Sequence, residues 1–90
     1  MRQIILDVHC MERKAEAHEY LKDTLELPDY YGKNLDALYD CLTEMGDVMF
    51  IFENEDEGCL YFEKIRRVFR DAAKENEGIS ILRPDGTEND

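Results

Sequence analysis

Three short apolar runs limit what this chain can become: Ile4-Ile5-Leu6 with Val8, Val48-Met49-Phe50-Ile51-Phe52, and Ile79-Ser80-Ile81-Leu82. Their length and their β-branched and aromatic content predict buried strands over residues 3–8, 48–53 and 79–83. Both connections between them read as helical. Residues 12–26 are rich in Ala, Glu, Lys and Leu, and Ala17, Leu21 and Leu25, with Tyr20 beside them, supply an apolar stripe. From Leu60 to Asn76, the residues Tyr61, Phe62, Ile65, Val68, Phe69, Ala72 and Ala73 keep the spacing of a helix buried along one side, and Asn76-Glu77-Gly78 ends it. Strands joined by helical crossovers pair in parallel, so the order βααβαβ predicts an α/β fold, a small sheet with helices packed against it.

The second helix lies in the densest stretch. Pro28 and Gly32 punctuate the end of the preceding helical pattern, and Asn34 is a good N-cap, so a helix is predicted from Leu35 to about Glu44, before the break at Gly46 and Asp47. At about 100° per residue, Leu35, Leu38, Cys41 and Leu42 fall on one side and Asp36, Tyr39, Asp40 and Thr43 roughly opposite. Asp36 and Asp40 are like charges one turn apart, which costs an isolated helix about a few tenths of a kcal/mol. A cationic partner would turn that cost into attraction. Tyr30, Tyr31 and Tyr39 lie beside these acids and are of a type that supplies rigid contact area to partners. The residues alone leave two readings open, a solvated acidic face with half-buried tyrosines or a contact surface for a basic partner.

Charge narrows the partner. With 22 acids against 11 bases the formal net charge is −11, a sign that opposes nucleic acid and anionic membranes and favours basic proteins. Ninety residues suffice for one modest core, and a single domain is expected over 1–84 with a polar tail at 85–90. No apolar run is long enough to span a bilayer and no leader segment is evident, so the expected compartment is the cytoplasm. Three widely spaced cysteines, Cys10, Cys41 and Cys59, suggest neither a disulfide framework nor a zinc site, and Cys41 reads as a buried thiol. The acids Glu53, Glu55, Asp56 and Glu57 before Gly58 lack the calcium-loop pattern and read as a solvated loop. His18 reads as a partly buried packing residue, and His9 makes no stronger claim. No nucleophile–base set, phosphate loop or metal spacing accompanies the paired aspartates, so no enzyme and no cofactor is expected.

The run Leu27-Pro28-Asp29-Tyr30-Tyr31-Gly32-Lys33-Asn34-Leu35-Asp36-Ala37-Leu38-Tyr39-Asp40-Cys41-Leu42-Thr43 closely resembles the signature of the barstar family, small intracellular inhibitors of barnase-type ribonucleases. Phe69-Arg70-Asp71-Ala72 resembles a second landmark of that family, a Phe-Arg-Glu-Ala stretch in the last helix. The resemblance implies a barstar-like fold with a three-stranded parallel sheet, and an active site plugged by the second helix and its preceding loop. Carried over by position, Asp40 enters the enzyme's phosphate pocket, Asp36 and Asp71 pair with other cations, and Tyr30 stacks on catalytic groups. Gly32, Asn34, Tyr39 and Thr43 take the remaining contact positions. The free protein is expected to be a monomer.

Several positions depart from the pattern. Tyr39 and Met45 stand where barstar has tryptophans, Asp71 is one methylene shorter than glutamate, and Met49 replaces the proline that begins the second strand. The link from that strand to the last helix is also shorter. Reduced reach and lost aromatic area imply a different cognate enzyme, or an interaction module that binds another basic partner without inhibiting a ribonuclease.

Overall fold

The computed structural model describes residues 2–54 and 59–82, the last of these by its backbone alone. Strands β1 (Arg2–Asp7), β2 (Val48–Glu53) and β3 (Ile79–Leu82) alternate with helices α1 (Lys14–Leu25), α2 (Leu35–Thr43) and α3 (Leu60–Glu75) in the predicted order. The strands form one parallel sheet, β1-β2-β3, with the most apolar strand in the middle. Its register stacks Ile4, Phe50 and Ile81 in one row across the sheet, and Leu6 and Phe52 in the next.

These rows face the helices. Phe69 on α3 packs edge-on against both Phe50 and Phe52, with ring centroids 4.9 and 5.2 Å apart, and Phe62 packs edge-on against Phe52 at 5.3 Å. Leu21 and Leu25 of α1 and Leu38 and Leu42 of α2 complete the same core. The runs predict buried strands, and among the described residues the helices bury one face of the sheet. Ile4 and Leu6 are buried while Ile5 between them is 53% exposed, and Met49 and Ile51 are half-buried. Near-continuous apolar runs mark two-sided burial only when helices lie on both sheet faces, and here the core lies on one.

Boundaries shift where side chains intervene. Val8, expected in β1, belongs to a 3-10 turn over Val8–Met11, because the Asp7 carboxylate accepts the His9 backbone N–H at 3.0 Å and turns the chain. Helix α1 ends at Leu25 because Glu26 adopts φ 54°, the left-handed conformation that closes helices. At the start of β3 a side chain on Gly78 would meet the Gly46 backbone at 3.1 Å, so glycine permits the close approach through which the Gly78 carbonyl accepts the Val48 N–H at 3.0 Å. The expected acidic loop at Glu55, Asp56, Glu57 and Gly58, the end of β3 at Arg83 and the tail at 85–90 lie outside the described residues. Among those described, no helix is long and apolar enough to cross a membrane.

Candidate protein-binding site

Asn34 starts α2 as its sequence predicts. Its side-chain carbonyl accepts the Ala37 N–H at 2.7 Å, and its amide donates to the Gly32 carbonyl at 3.2 Å. Gly32 lies close beside it, where a Cβ would stand 3.1 Å from the Asn34 amide nitrogen and would press on the capping side chain. We expect Asn34→Ala to lower folding stability by about 1 kcal/mol, read as a drop in the urea midpoint with an unchanged slope.

The far end of α2 is held from another element. Asn76, just beyond α3, donates its side-chain amide to the carbonyls of Leu42 at 3.0 Å and Met45 at 2.5 Å. The Leu42 carbonyl also accepts the Met45 N–H at 3.2 Å, so the amide adds a second partner there and ties the end of α2 to α3. Thr43 turns its hydroxyl back to the Asp40 carbonyl at 2.8 Å. The 9-residue helix is thus fixed at both ends.

Leu38 and Leu42 are fully buried, while Leu35 and Cys41 are half-buried. Cys41 therefore departs from the expected buried thiol, lying at the margin of the packed stripe. Its pKa is raised by partial burial and by Glu44 and Asp40, which keeps it a neutral thiol. Asp36 and Asp40 are both exposed, and neither forms an ion pair among the described residues. Asp40 lies in the C-terminal half of α2, whose last turn holds no basic residue to offset the helix dipole. Tyr39 and Thr43, expected to face outward with the acids, are half-buried, and Tyr39 packs against the core. On α3, Asp71 is exposed between the buried Phe69 and Ala72.

The loop before α2 separates its two tyrosines. The Tyr31 N–H donates to the Pro28 carbonyl at 2.9 Å in a tight turn that sends Tyr31 into the core and leaves Tyr30 84% exposed. Tyr31 thus leaves the acidic surface where the sequence placed it. Its hydroxyl lies 2.5 Å from Nδ1 of His18, whose Nε2 lies 2.5 Å from the hydroxyl of Tyr61. His18, expected to be partly buried, has no exposed surface. One ring joins α1, the loop and α3. Two ion pairs, Lys22 with Asp29 and Lys33 with Glu19, brace the same loop to α1.

A neutral imidazole suits this geometry, because one nitrogen donates and the other accepts. Burial lowers the His18 pKa below its ordinary 6.5, with Lys14 adding to the effect, and burial holds the Tyr31 hydroxyl protonated. The unfolded chain then binds the proton more readily than the folded one. Stability conferred by neutral His18 is complete above pH 6.5 and is lost as the pH falls through that value toward the depressed folded pKa. We expect the urea midpoint to fall between pH 7.5 and 5.5 in the natural protein and to change less in His18→Gln. Equal falls in the two proteins would show that His18 is not the group responsible.

Sequence reasoning missed Tyr61 and Asn76 as supports of this site and undervalued His18 and Tyr31. No local signal marks them, since Tyr61 lies 43 residues from His18 and Asn76 34 residues from Leu42.

Among the described residues, no cluster of His, Cys, Asp or Glu could hold a metal, and the three cysteines are free. The surface therefore offers rigid carboxylates and one projecting tyrosine, the chemistry of a protein contact. The profile of a family described as Barstar (barnase inhibitor) matches residues 1–82. The chain is also 42% identical over 82 residues to "Putative ribonuclease inhibitor YrdF" of Bacillus subtilis (strain 168), covering 83% of this chain and 89% of that protein. With the three-stranded parallel sheet and the acidic second helix already in place, the chain belongs to the barstar family.

Proposed function

We propose that this protein inhibits a barnase-type ribonuclease by filling its active site with α2 and the loop before it. Asp40 enters the phosphate pocket, Asp36 and Asp71 meet further cations, and Tyr30 stacks on the catalytic groups. Gly32, Asn34, Tyr39 and Thr43 complete the contact. The observation that carries this reading is the pair Asp36 and Asp40, exposed one turn apart without ion pairs of their own. A nuclease site is cationic because it holds phosphate, and carboxylates on a helix fixed at both ends meet it with little ordering cost. The net charge of −11 adds long-range attraction to a basic enzyme. The protein acts by occupying a site rather than by catalysis, as a monomer in the cytoplasm of the cell that makes the enzyme.

The test is titration of RNA hydrolysis by barnase-type ribonucleases, barnase included. The expected result is stoichiometric inhibition, with association slowing as added salt screens the surface charge. Absence of inhibition of every such enzyme would remove the reading. A second reading, a module for another basic protein, draws on Tyr39 and Met45, which replace tryptophans and pack against the core. It gains if the partner recovered with the protein is basic but has no ribonuclease activity.

A further inference from the structure

The acidic surface has a basic neighbour. A shallow groove of about 560 Å³ adjoins the start of α2, lined by Lys14, Asn34, Leu35, Asp36, Tyr61 and Lys64. Lys14 opens α1, Leu35 opens α2 and Tyr61 is the second residue of α3, so three helices begin around it. In a chain with twice as many acids as bases, four described bases pair with acids, Arg2 with Glu26, Lys22 with Asp29, Lys33 with Glu19 and Arg66 with Glu63, and of the others Lys14 and Lys64 share the groove. Lys14 and Lys64 are exposed and form no ion pair among the described residues.

We propose that this groove receives an acidic side chain of the ribonuclease, with Lys14 and Lys64 as the specificity-determining bases beside the inhibitory helix. The proposal rests on the ribonuclease-inhibitor reading and deepens it, because the groove shares Asn34 and Asp36 with the surface that would meet the enzyme. An anionic occupant follows from charge complementarity. Two unpaired ammonium groups flank a space into which the first turns of three helices add partial positive charge. A single protein carboxylate fits better than a polyanion, since the two lysines exceed the one aspartate of the lining by a single charge and the overall negative charge repels nucleic acid. Opposite charges on adjoining patches also reject enzymes that present only a basic face at this position.

The sign of the response separates this role from a bystander's. Against a cationic enzyme, removing two bases from an acidic inhibitor should leave binding unchanged or strengthen it. If the lysines face an enzyme carboxylate, the same change weakens binding. The experiment measures affinity for a barnase-type ribonuclease inhibited by the natural protein, using K14E/K64E and the milder K14Q/K64Q, which keeps the test valid if charge reversal disturbs folding. The expected result is binding about tenfold weaker for K14E/K64E, with a smaller loss for K14Q/K64Q. Acid-to-lysine replacement at one position bordering the enzyme's site should restore affinity for K14E/K64E. Unchanged or tighter binding by both variants overturns the proposal, as does a weakening that no enzyme replacement restores. Failure of the natural protein to bind any such enzyme overturns the underlying reading as well, and is recognised before any substitution is made.

Discussion

Asp40→Ala is expected to weaken the ribonuclease complex by at least about a hundredfold while leaving the free protein as stable as before or slightly more so. The two effects have opposite signs for one reason. In the free protein, Asp40 faces Asp36 one turn away and lies in the C-terminal half of α2, where a negative charge opposes the helix dipole. Removing it relieves about 0.3 kcal/mol of local repulsion. In the proposed complex, the carboxylate would be enclosed among enzyme cations, and truncation would leave them buried without their anion. Charged residues at interface centres reach about 4–8 kcal/mol on truncation, and an aspartate of barstar itself sets the top of that range, a value borrowed from that protein. Even 3 kcal/mol is a factor above about a hundred in Kd. Isothermal titration and urea denaturation of the same variant check both halves. Intact binding would remove Asp40 from the contact, and a large loss of stability would show that its role lies within the fold.

Phe69→Ala should produce the largest loss of stability, about 3–5 kcal/mol. Phe69 is fully buried and is the only described ring that packs edge-on against both aromatic residues of the central strand, Phe50 and Phe52. Truncation removes its transfer free energy, opens a cavity between α3 and the central strand, and deletes two favourable ring contacts. A domain of this size has about 5–15 kcal/mol of total stability, so the variant would sit near the edge of folding. Its urea midpoint should fall sharply with little change in slope. Phe69→Leu, which retains most of the apolar volume, should cost much less. A loss below about 1 kcal/mol for the alanine variant would mean that the α3 core repacks freely.

Much of the architecture was legible because its signals are local. The 3.6-residue rhythm from Tyr61 to Ala73 predicts α3 and its inward face, of which Phe62, Ile65, Phe69 and Ala72 are buried and Tyr61, Val68 and Ala73 half-buried at its margins. Asn34 announces the start of α2 through a bond to an amide three residues away. Where a contact joins distant residues, the sequence carries no comparable mark. Tyr30 and Tyr31 are adjacent and chemically identical, yet one projects to solvent and the other is buried against His18. Only the turn closed on Pro28 decides which is which.

By itself, the sequence determined the order of strands and helices, the parallel sheet that helical crossovers require, the start of α2 and the alternation that turns Asp36 and Asp40 away from Leu38 and Leu42. These depend on periodicity, chain connectivity and capping, which act over a few neighbouring residues. The tertiary structure decided that one sheet face is left partly uncovered, that His18 joins the loop to α3 and that Asn76 holds the end of α2. It also placed two lysines, unpaired among the described residues, in a groove beside α2. Those outcomes depend on which distant polar groups meet as the core closes and must exchange water for one another, a matter of three-dimensional packing.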